Sequence, residues 1–164
     1  MENTAESARQ LARAATISAQ AHEKDVDKSG EPYFLHPFRI AQALSPLHKV
    51  MTVAFLHDVV EDTDITIEDL SKEGFDLDIL AATEAITRRD LGPGSYDGYL
   101  KVVQRNLFAT MVKVKDIEDN LSVQRLSLLP IGKAHQLFTK YSGAKSFLWE
   151  SYMKYSKDLY GRII

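Results

Sequence analysis

The chain has 164 residues, 45% of them hydrophobic and 26% charged, with a formal net charge of −3. That balance fits one globular domain with a sizeable core and offers no basic footprint for extended nucleic acid, although a local basic pocket for a small anion is compatible with it. There are no cysteines, which excludes disulfides and thiolate zinc sites and fits a reducing compartment. No apolar run reaches the roughly 20 residues that span a bilayer. The polar start Met1-Glu2-Asn3-Thr4-Ala5-Glu6 lacks the basic flank and apolar core of a signal peptide, so the expected location is the cytoplasm, away from membranes.

Residues 4–22 are Ala-rich with a helical apolar face, Arg13 in mid-helix and His22 at its end. A polar loop follows over 23–32, closed by the turn signal Lys28-Ser29-Gly30-Glu31-Pro32. Tyr33-Phe34-Leu35-His36-Pro37 leads into a helix to about 44, with Pro37 suited to its first turn and Ser45-Pro46 ending it. A central helix is predicted over 47–60. Thr66 and Asp69 match a capping pattern for a short helix that Gly74 terminates, and another helix is predicted over 77–88. Asp90-Leu91-Gly92-Pro93-Gly94 reads as a loop, with Ser95 capping a helix over 96–104. An amphipathic helix over 109–126 carries Asp116, Glu118, Asp119 and Asn120, and a last one runs over 133–160 with a bend expected near Gly143. There are no repeats, low-complexity tracts or period-2 strands. The expected class is all-α, a single helical bundle over 1–164.

The chemistry concentrates in His57-Asp58-Val59-Val60-Glu61-Asp62, which continues the apolar run Val53-Ala54-Phe55-Leu56. On a helix Glu61 lies one turn beyond His57 and Asp62 one turn beyond Asp58. Burying an unpaired carboxylate costs several kcal/mol, roughly, and acids near a helix C-terminus oppose the macrodipole by about 0.3–1 kcal/mol each. A divalent cation would reverse both penalties. An acidic run alone is usually a solvated helix end; an imidazole and three carboxylates on an apolar helix point to a metal site. Without cysteine its ligands are nitrogen and oxygen, which suits Mn, Fe, Zn or Co. Further ligands must come from other helices.

Four segments together carry a family resemblance: Ala21-His22; Lys28-Ser29-Gly30-Glu31-Pro32-Tyr33 with His36-Pro37; Phe55-Leu56-His57-Asp58-Val59-Val60-Glu61-Asp62-Thr63; and Val112-Lys113-Val114-Lys115-Asp116 with Asn120. In this order, across residues 13–126, the chain resembles HD-domain phosphohydrolases, and among them the hydrolase domain of the Rel/SpoT-type alarmone enzymes and the small alarmone hydrolases. The resemblance implies metal ligation by His22, His57, Asp58 and Asp116, with manganese as the expected ion. It implies that Glu61 and Asp62 handle the water and leaving-group protons, and that Arg13 and Asn120 contact the nucleotide. The implied reaction is hydrolysis of a nucleotide 3′-pyrophosphate, (p)ppGpp or (p)ppApp, releasing pyrophosphate. Lys28, Arg88, Arg89 and Lys115 are candidate cations for the phosphates, and Tyr141, on one helical face with Lys145, is a candidate to stack on the base.

The chain also departs from the family. It reads Glu23-Lys24-Asp25-Val26-Asp27 after His22, Ala14 after Arg13, and Ile117-Glu118-Asp119-Asn120-Leu121-Ser122 after Asp116. Asp119 stands where the family has a histidine and Ser122 where it has an arginine, for which Arg125 can partly substitute. These differences leave open a phosphohydrolase of another nucleotide (a 5′-nucleotide, a cyclic nucleotide or a phosphorylated dinucleotide) and a non-catalytic nucleotide-binding module. His36 reads as a structural residue capping a helix, and His48 and His135 as surface groups. The C-terminal helix, with Leu148, Trp149, Tyr152, Tyr155 and Leu159, can close the core or form a surface for a homo-oligomer.

Overall fold

The computed structural model describes residues 4–27, 30–88 and 95–161, and these form helices joined by short connections. In chain order they are α1 (Thr4–Ala21), α2 (Leu35–Ala43), α3 (His48–Leu56), α4 (Val59–Asp62), α5 (Ile67–Lys72), α6 (Leu77–Ile86), α7 (Ser95–Arg105), α8 (Leu107–Asn120), α9 (Val123–Leu126) and α10 (Ile131–Tyr160). Among the described residues the only extended pairing is an isolated bridge between Val26 and Pro32. The all-α reading holds. The predicted loop over 90–94, Lys28 and Arg89 lie outside the described residues.

Two helices organise the rest. α3 packs on α1, α2, α6 and α8, and α8 packs in turn on α2, α6, α7 and α10. α3 can sit centrally because beyond its first turn it is buried on every side: Val50, Val53, Ala54, Phe55 and Leu56 are apolar, and the buried Thr52 hydroxyl donates to the His48 carbonyl at 2.8 Å. α8 contributes Ala109, Met111, Val112, Val114 and Ile117 to the same core. α10 covers one side with Ala144, Leu148 and Tyr152, so part of the C-terminal helix does close the core. Its helical run passes through Gly143 without interruption.

Local chemistry sets the boundaries. Thr66 and Asp69 make both bonds of a capping box at the start of α5 (each 3.1 Å), so an aspartate closes it where a longer acid is usual. Gly74, at φ +82°, makes the left-handed turn after α5 that a side chain would strain. Asn106 caps α8 by accepting from the Ala109 N–H at 3.0 Å, which starts this helix earlier than predicted. α8 then ends at Asn120, and the predicted run to 126 divides into α8 and α9.

The predicted central helix is likewise divided, at its most chemically loaded point. His57 Nδ1 lies 2.7 Å from the Ala54 carbonyl. In an uninterrupted helix that carbonyl would receive the Asp58 N–H. The ring therefore occupies the acceptor that would carry α3 onward, and α4 restarts at Val59. The break turns His57 and Asp58 into the junction between two helices.

Candidate metal centre

α2, α3 and α8 bring one donor set together. Ligand atoms of His36, His57 and Asp58 all lie within 4.8 Å of one another, the one such group among the described residues. Asp116, from α8, joins it through Oδ1, which stands 3.2 Å from His36 Nε2. His36, His57 and Asp116 are buried, while Asp58 keeps 17% of its side chain exposed. These residues border a cavity of about 300 Å³ that also takes in Tyr33, Glu61, Asp62, Asn120, Arg125 and Tyr141. A larger cleft of about 1020 Å³, bordered by Thr4, Ser7, Lys49, Asp78 and Arg105, contains none of the clustered donors.

One expectation changes. His36 does not act as a helix cap bonding nearby backbone; its Nε2 faces Asp116 and Asp58, and its Nδ1 lies 2.7 Å from Asp119 Oδ2. His22 is not within the 4.8 Å group, but its Nε2 is, like that of His57, buried without a hydrogen-bond partner. Its Nδ1 meets Asp25 Oδ2 at 3.0 Å, and its ring packs on Tyr33 at 4.7 Å between centroids. Tyr33 links the two histidines, since its ring also lies 5.8 Å from that of His36. A signal for His36 was present in the sequence. His36, Ile40 and Leu44 recur every four residues, and all three are buried, so His36 belongs to the apolar stripe of α2.

The residues fit a divalent cation. With Nδ1–H donated to the Ala54 carbonyl, the neutral His57 ring carries its lone pair on Nε2. That atom is buried without a hydrogen-bond partner, 3.0 Å from Asp58 Oδ2. A lone pair facing a carboxylate oxygen at that distance calls for a positive charge between them, and a histidine whose other nitrogen is fixed by a carbonyl is how metal-binding imidazoles are oriented. Protonation meets the same need when no cation is bound. Burial pushes His57 down, but Asp58 and Asp116 outweigh it and the ring is raised above its ordinary value. His36 is raised to about 9, burial being outweighed by its bonds to Asp116 and Asp119.

The carboxylates are held ionised by specific partners. Burial works against the Asp58 charge, but the His57 ring holds it well below the usual range, and Tyr33 Oη donates to Oδ2 at 2.6 Å. Asp116 is also held well below, because Lys113 and His36 overcome its burial. Lys113 Nζ lies 2.7 Å from Asp116 Oδ2 and Asn120 Nδ2 lies 2.6 Å from Oδ1. Glu61 and Asp62 behave oppositely. Burial pushes both above the ordinary carboxylate range, Glu61 in spite of the Arg88 backbone N–H that it accepts at 2.8 Å, and Asp62 with the help of the Asp58 charge.

The nucleotide candidates divide. Asn120 and Tyr141 border the cavity. Arg88 meets Glu61 through its backbone, while its guanidinium lies over Tyr96 at 5.7 Å. Arg13 goes elsewhere: it donates to the Glu73 carbonyl and lies 3.7 Å from Glu73 Oε2. Nine residues from His22 amount to about two and a half turns, which puts the two side chains on opposite faces of α1. Lys115 pairs with Glu118 at 2.8 Å.

An all-helical bundle with a histidine–aspartate donor set at the junction of two of its central helices defines a class. Residues 14–91 match the family model described as "HD domain". Among curated relatives it is 36% identical over 84 residues to the guanosine-3′,5′-bis(diphosphate) 3′-pyrophosphohydrolase of Aquifex aeolicus (49% of this chain, 12% of the relative). It is 29% identical over 117 residues to the protein of the same name from Haemophilus influenzae (64% of this chain, 17% of the relative). The chain thus spans less than a fifth of the length of either. A solved structure described as a metazoan ortholog of SpoT that hydrolyzes ppGpp shares the fold at TM-score 0.60 and 20% identity, over 91% of this chain and 94% of that one. No described helix is long and apolar enough to cross a membrane.

Proposed function

We propose that the chain hydrolyses nucleotide 3′-pyrophosphates, (p)ppGpp or (p)ppApp, with a divalent cation, manganese being the expected ion. The observation that carries this reading is the position of Glu61 and Asp62, two carboxyls raised above their ordinary range, on the cavity that holds the His36–His57–Asp58 donor group. The names of the relatives supply the substrate class.

His22, His57, Asp58 and Asp116 would hold the cation, His22 and His57 each offering a buried Nε2 without a hydrogen-bond partner and His36 standing beside Asp58 and Asp116; the cation supplies Lewis acidity and lowers the pKa of bound water towards about 7. The reaction breaks the bond between the ribose 3′ oxygen and the diphosphate. Water oxygen ends on phosphorus, its proton is removed, and the 3′ oxygen leaves as a hydroxyl. Glu61 and Asp62 are the groups to take and return those protons, since a raised carboxyl works as base and acid nearer neutral pH. Lys113 and Asn120 keep Asp116 ionised and in place. Arg125 and Tyr141 border the space for the nucleotide. Arg13, turned to Glu73, has no part in this reading.

The test is pyrophosphate release with Mn²⁺ from guanosine and adenosine 3′-pyrophosphates, with 5′-monophosphates, cyclic nucleotides and phosphorylated dinucleotides alongside. Release from a 3′-pyrophosphate by the parent, lost in Glu61→Gln/Asp62→Asn, supports the proposal and names the purine. Phosphate from another nucleotide alone moves the function to that substrate. No turnover by the cation-loaded protein leaves a binding module.

A further inference from the structure

His22 follows the last residue of α1, and the chain then turns back on it. The Asp25 N–H donates to the His22 carbonyl at 3.1 Å, and the Asp25 carbonyl accepts the Tyr33 N–H at 2.9 Å. With its backbone held at both ends, Asp25 sets its Oδ2 3.0 Å from His22 Nδ1. Asp25 thereby reaches two arms of the candidate centre. It meets His22 directly, and through the backbone it holds Tyr33, whose ring packs on that of His22 at 4.7 Å and whose Oη donates to Asp58 Oδ2 at 2.6 Å.

The contact decides which His22 nitrogen carries the proton in the neutral ring. An ionised carboxylate only accepts, so Nδ1 donates and the lone pair is left on Nε2. That atom is buried without a hydrogen-bond partner, as is Nε2 of His57. His57 is set in the corresponding way by the Ala54 carbonyl. Two imidazoles, one just past the end of α1 and one just past the end of α3, thus have Nδ1 tied to an acceptor and Nε2 left bare. We propose that Asp25 is a positioning residue for the metal centre: its carboxylate fixes the His22 ring and tautomer so that Nε2 is presented to the cation. A carboxylate behind a ligating histidine orients the ring and raises its basicity. The two acceptors differ in their surroundings. The Ala54 carbonyl lies inside the core helix, whereas the Asp25 side chain is 55% exposed against 1% for His22. A bond to a half-exposed carboxylate contributes little to the fold, so its effect on the cation can be read apart from stability.

This inference rests on the metal-centre part of the proposed function and not on the nucleotide, so its test uses cations alone. Mn²⁺ affinity is measured by titration calorimetry for the parent, Asp25→Ala, Asp25→Asn and Glu23→Ala, with the melting temperature of each metal-free protein. Asp25→Ala is expected to bind Mn²⁺ about tenfold more weakly, the lower end of the usual range for an outer partner of a ligand because this carboxylate is half in water. Its metal-free melting temperature should stay near that of the parent. Asp25→Asn, which keeps an acceptor without the charge, is expected to recover part of the loss. Glu23 carries the same charge in the same turn but pairs with Lys24 at 3.5 Å; Glu23→Ala is expected to keep affinity within about twofold of the parent, because it breaks no bond to a ligand. In a His22→Ala background, adding Asp25→Ala should change affinity by less than about twofold, since the residue acts through the ring that is gone. Unchanged affinity in Asp25→Ala, an equal loss in Glu23→Ala, or a full further loss in the His22→Ala background would overturn the positioning role. If Asp25→Ala does not fold, histidine nitrogen-15 shifts of the neutral rings in the metal-free parent decide the matter: a His22 proton on Nδ1 supports the role, and one on Nε2 overturns it. A folded parent that binds no divalent cation overturns the metal centre itself, a failure separate from that of Asp25 and from the choice of nucleotide.

Discussion

Tyr33 donates its phenolic hydrogen to Asp58 Oδ2 across 2.6 Å, tying the segment before α2 to the junction between α3 and α4. The bond is made to an ionised acceptor, and burial followed by the Asp58 charge pushes the Tyr33 phenol far above its ordinary range, so Tyr33 is a donor at every working pH. Tyr33→Phe keeps the ring against His22 and His36 and deletes only this bond. The expected cost is about 1.5–3 kcal/mol, the usual worth of a hydrogen bond to a charged group. Urea unfolding of the metal-free protein checks it; an unchanged midpoint would mean that Asp58 does not depend on Tyr33.

Glu61→Gln and Asp62→Asn are expected to separate chemistry from cation binding. Neither side chain belongs to the donor group, so each variant should bind Mn²⁺ nearly as the parent does. Turnover should fall by about 10²–10⁴-fold, the usual contribution of a positioned acid or base. The pH profile has a predictable sign. Both carboxyls are raised by burial, so activity that needs the ionised base is lost on acidification at a pH above the ordinary carboxylate values of about 3.9–4.3. A profile flat down to pH 4 would remove both residues from proton transfer.

What the sequence made legible follows periodicity and spacing. The apolar run of α3, the capping box of α5 and the pairing of Asp116 with Asn120 four residues on are local relations, and each is found in the structure. The approach of His36 to Asp58 and Asp116 was not local, since it depends on how α2 packs; only the stripe of His36, Ile40 and Leu44 carried that information. The partner of Arg13 was not legible either, since the Glu73 carbonyl to which it donates belongs to a distant turn. The break after Leu56 depends on a side chain taking a backbone acceptor, which apolar periodicity does not register.

The His36–Asp119 pair sets limits on stability at both ends of the pH scale in chelator-treated protein. His36 is raised to about 9, so its contribution is complete below the unfolded value of about 6.5 and is lost as pH rises through 9. Asp119 is held below its ordinary range, with His36 and Arg39 overcoming its burial, so its contribution is complete above about 3.9 and is lost as pH falls below that. Stability from this pair should therefore be greatest between about pH 4 and 6.5. The alkaline loss is expected to be on the order of 3 kcal/mol from the His36 shift. Denaturant midpoints across pH check it, with His36→Gln expected to flatten the alkaline side; an equal alkaline slope in parent and variant would assign that loss to other groups.

Lys113 gives the sharpest separation between charge and shape. Its ammonium lies 2.7 Å from Asp116 Oδ2 and 5.6 Å from the Tyr99 ring centroid, and Asp116 outweighs the burial that would otherwise lower its pKa. Lys113→Met keeps most of the side chain's bulk but leaves Asp116 as a buried anion short of its nearest cation. The expected destabilisation of the metal-free protein is about 3–5 kcal/mol, the cost of breaking a buried pair from one side. Lys113→Met/Asp116→Asn should recover much of it, because the orphaned charge is gone, while losing cation binding with the ligand. A divalent cation at the donor group would itself neutralise Asp116, so saturating Mn²⁺ should raise the melting temperature of Lys113→Met more than that of the parent. Equal shifts in the two proteins would mean that the cation does not sense the Asp116 charge, and Asp116 would then be a structural partner of Lys113 and not a ligand.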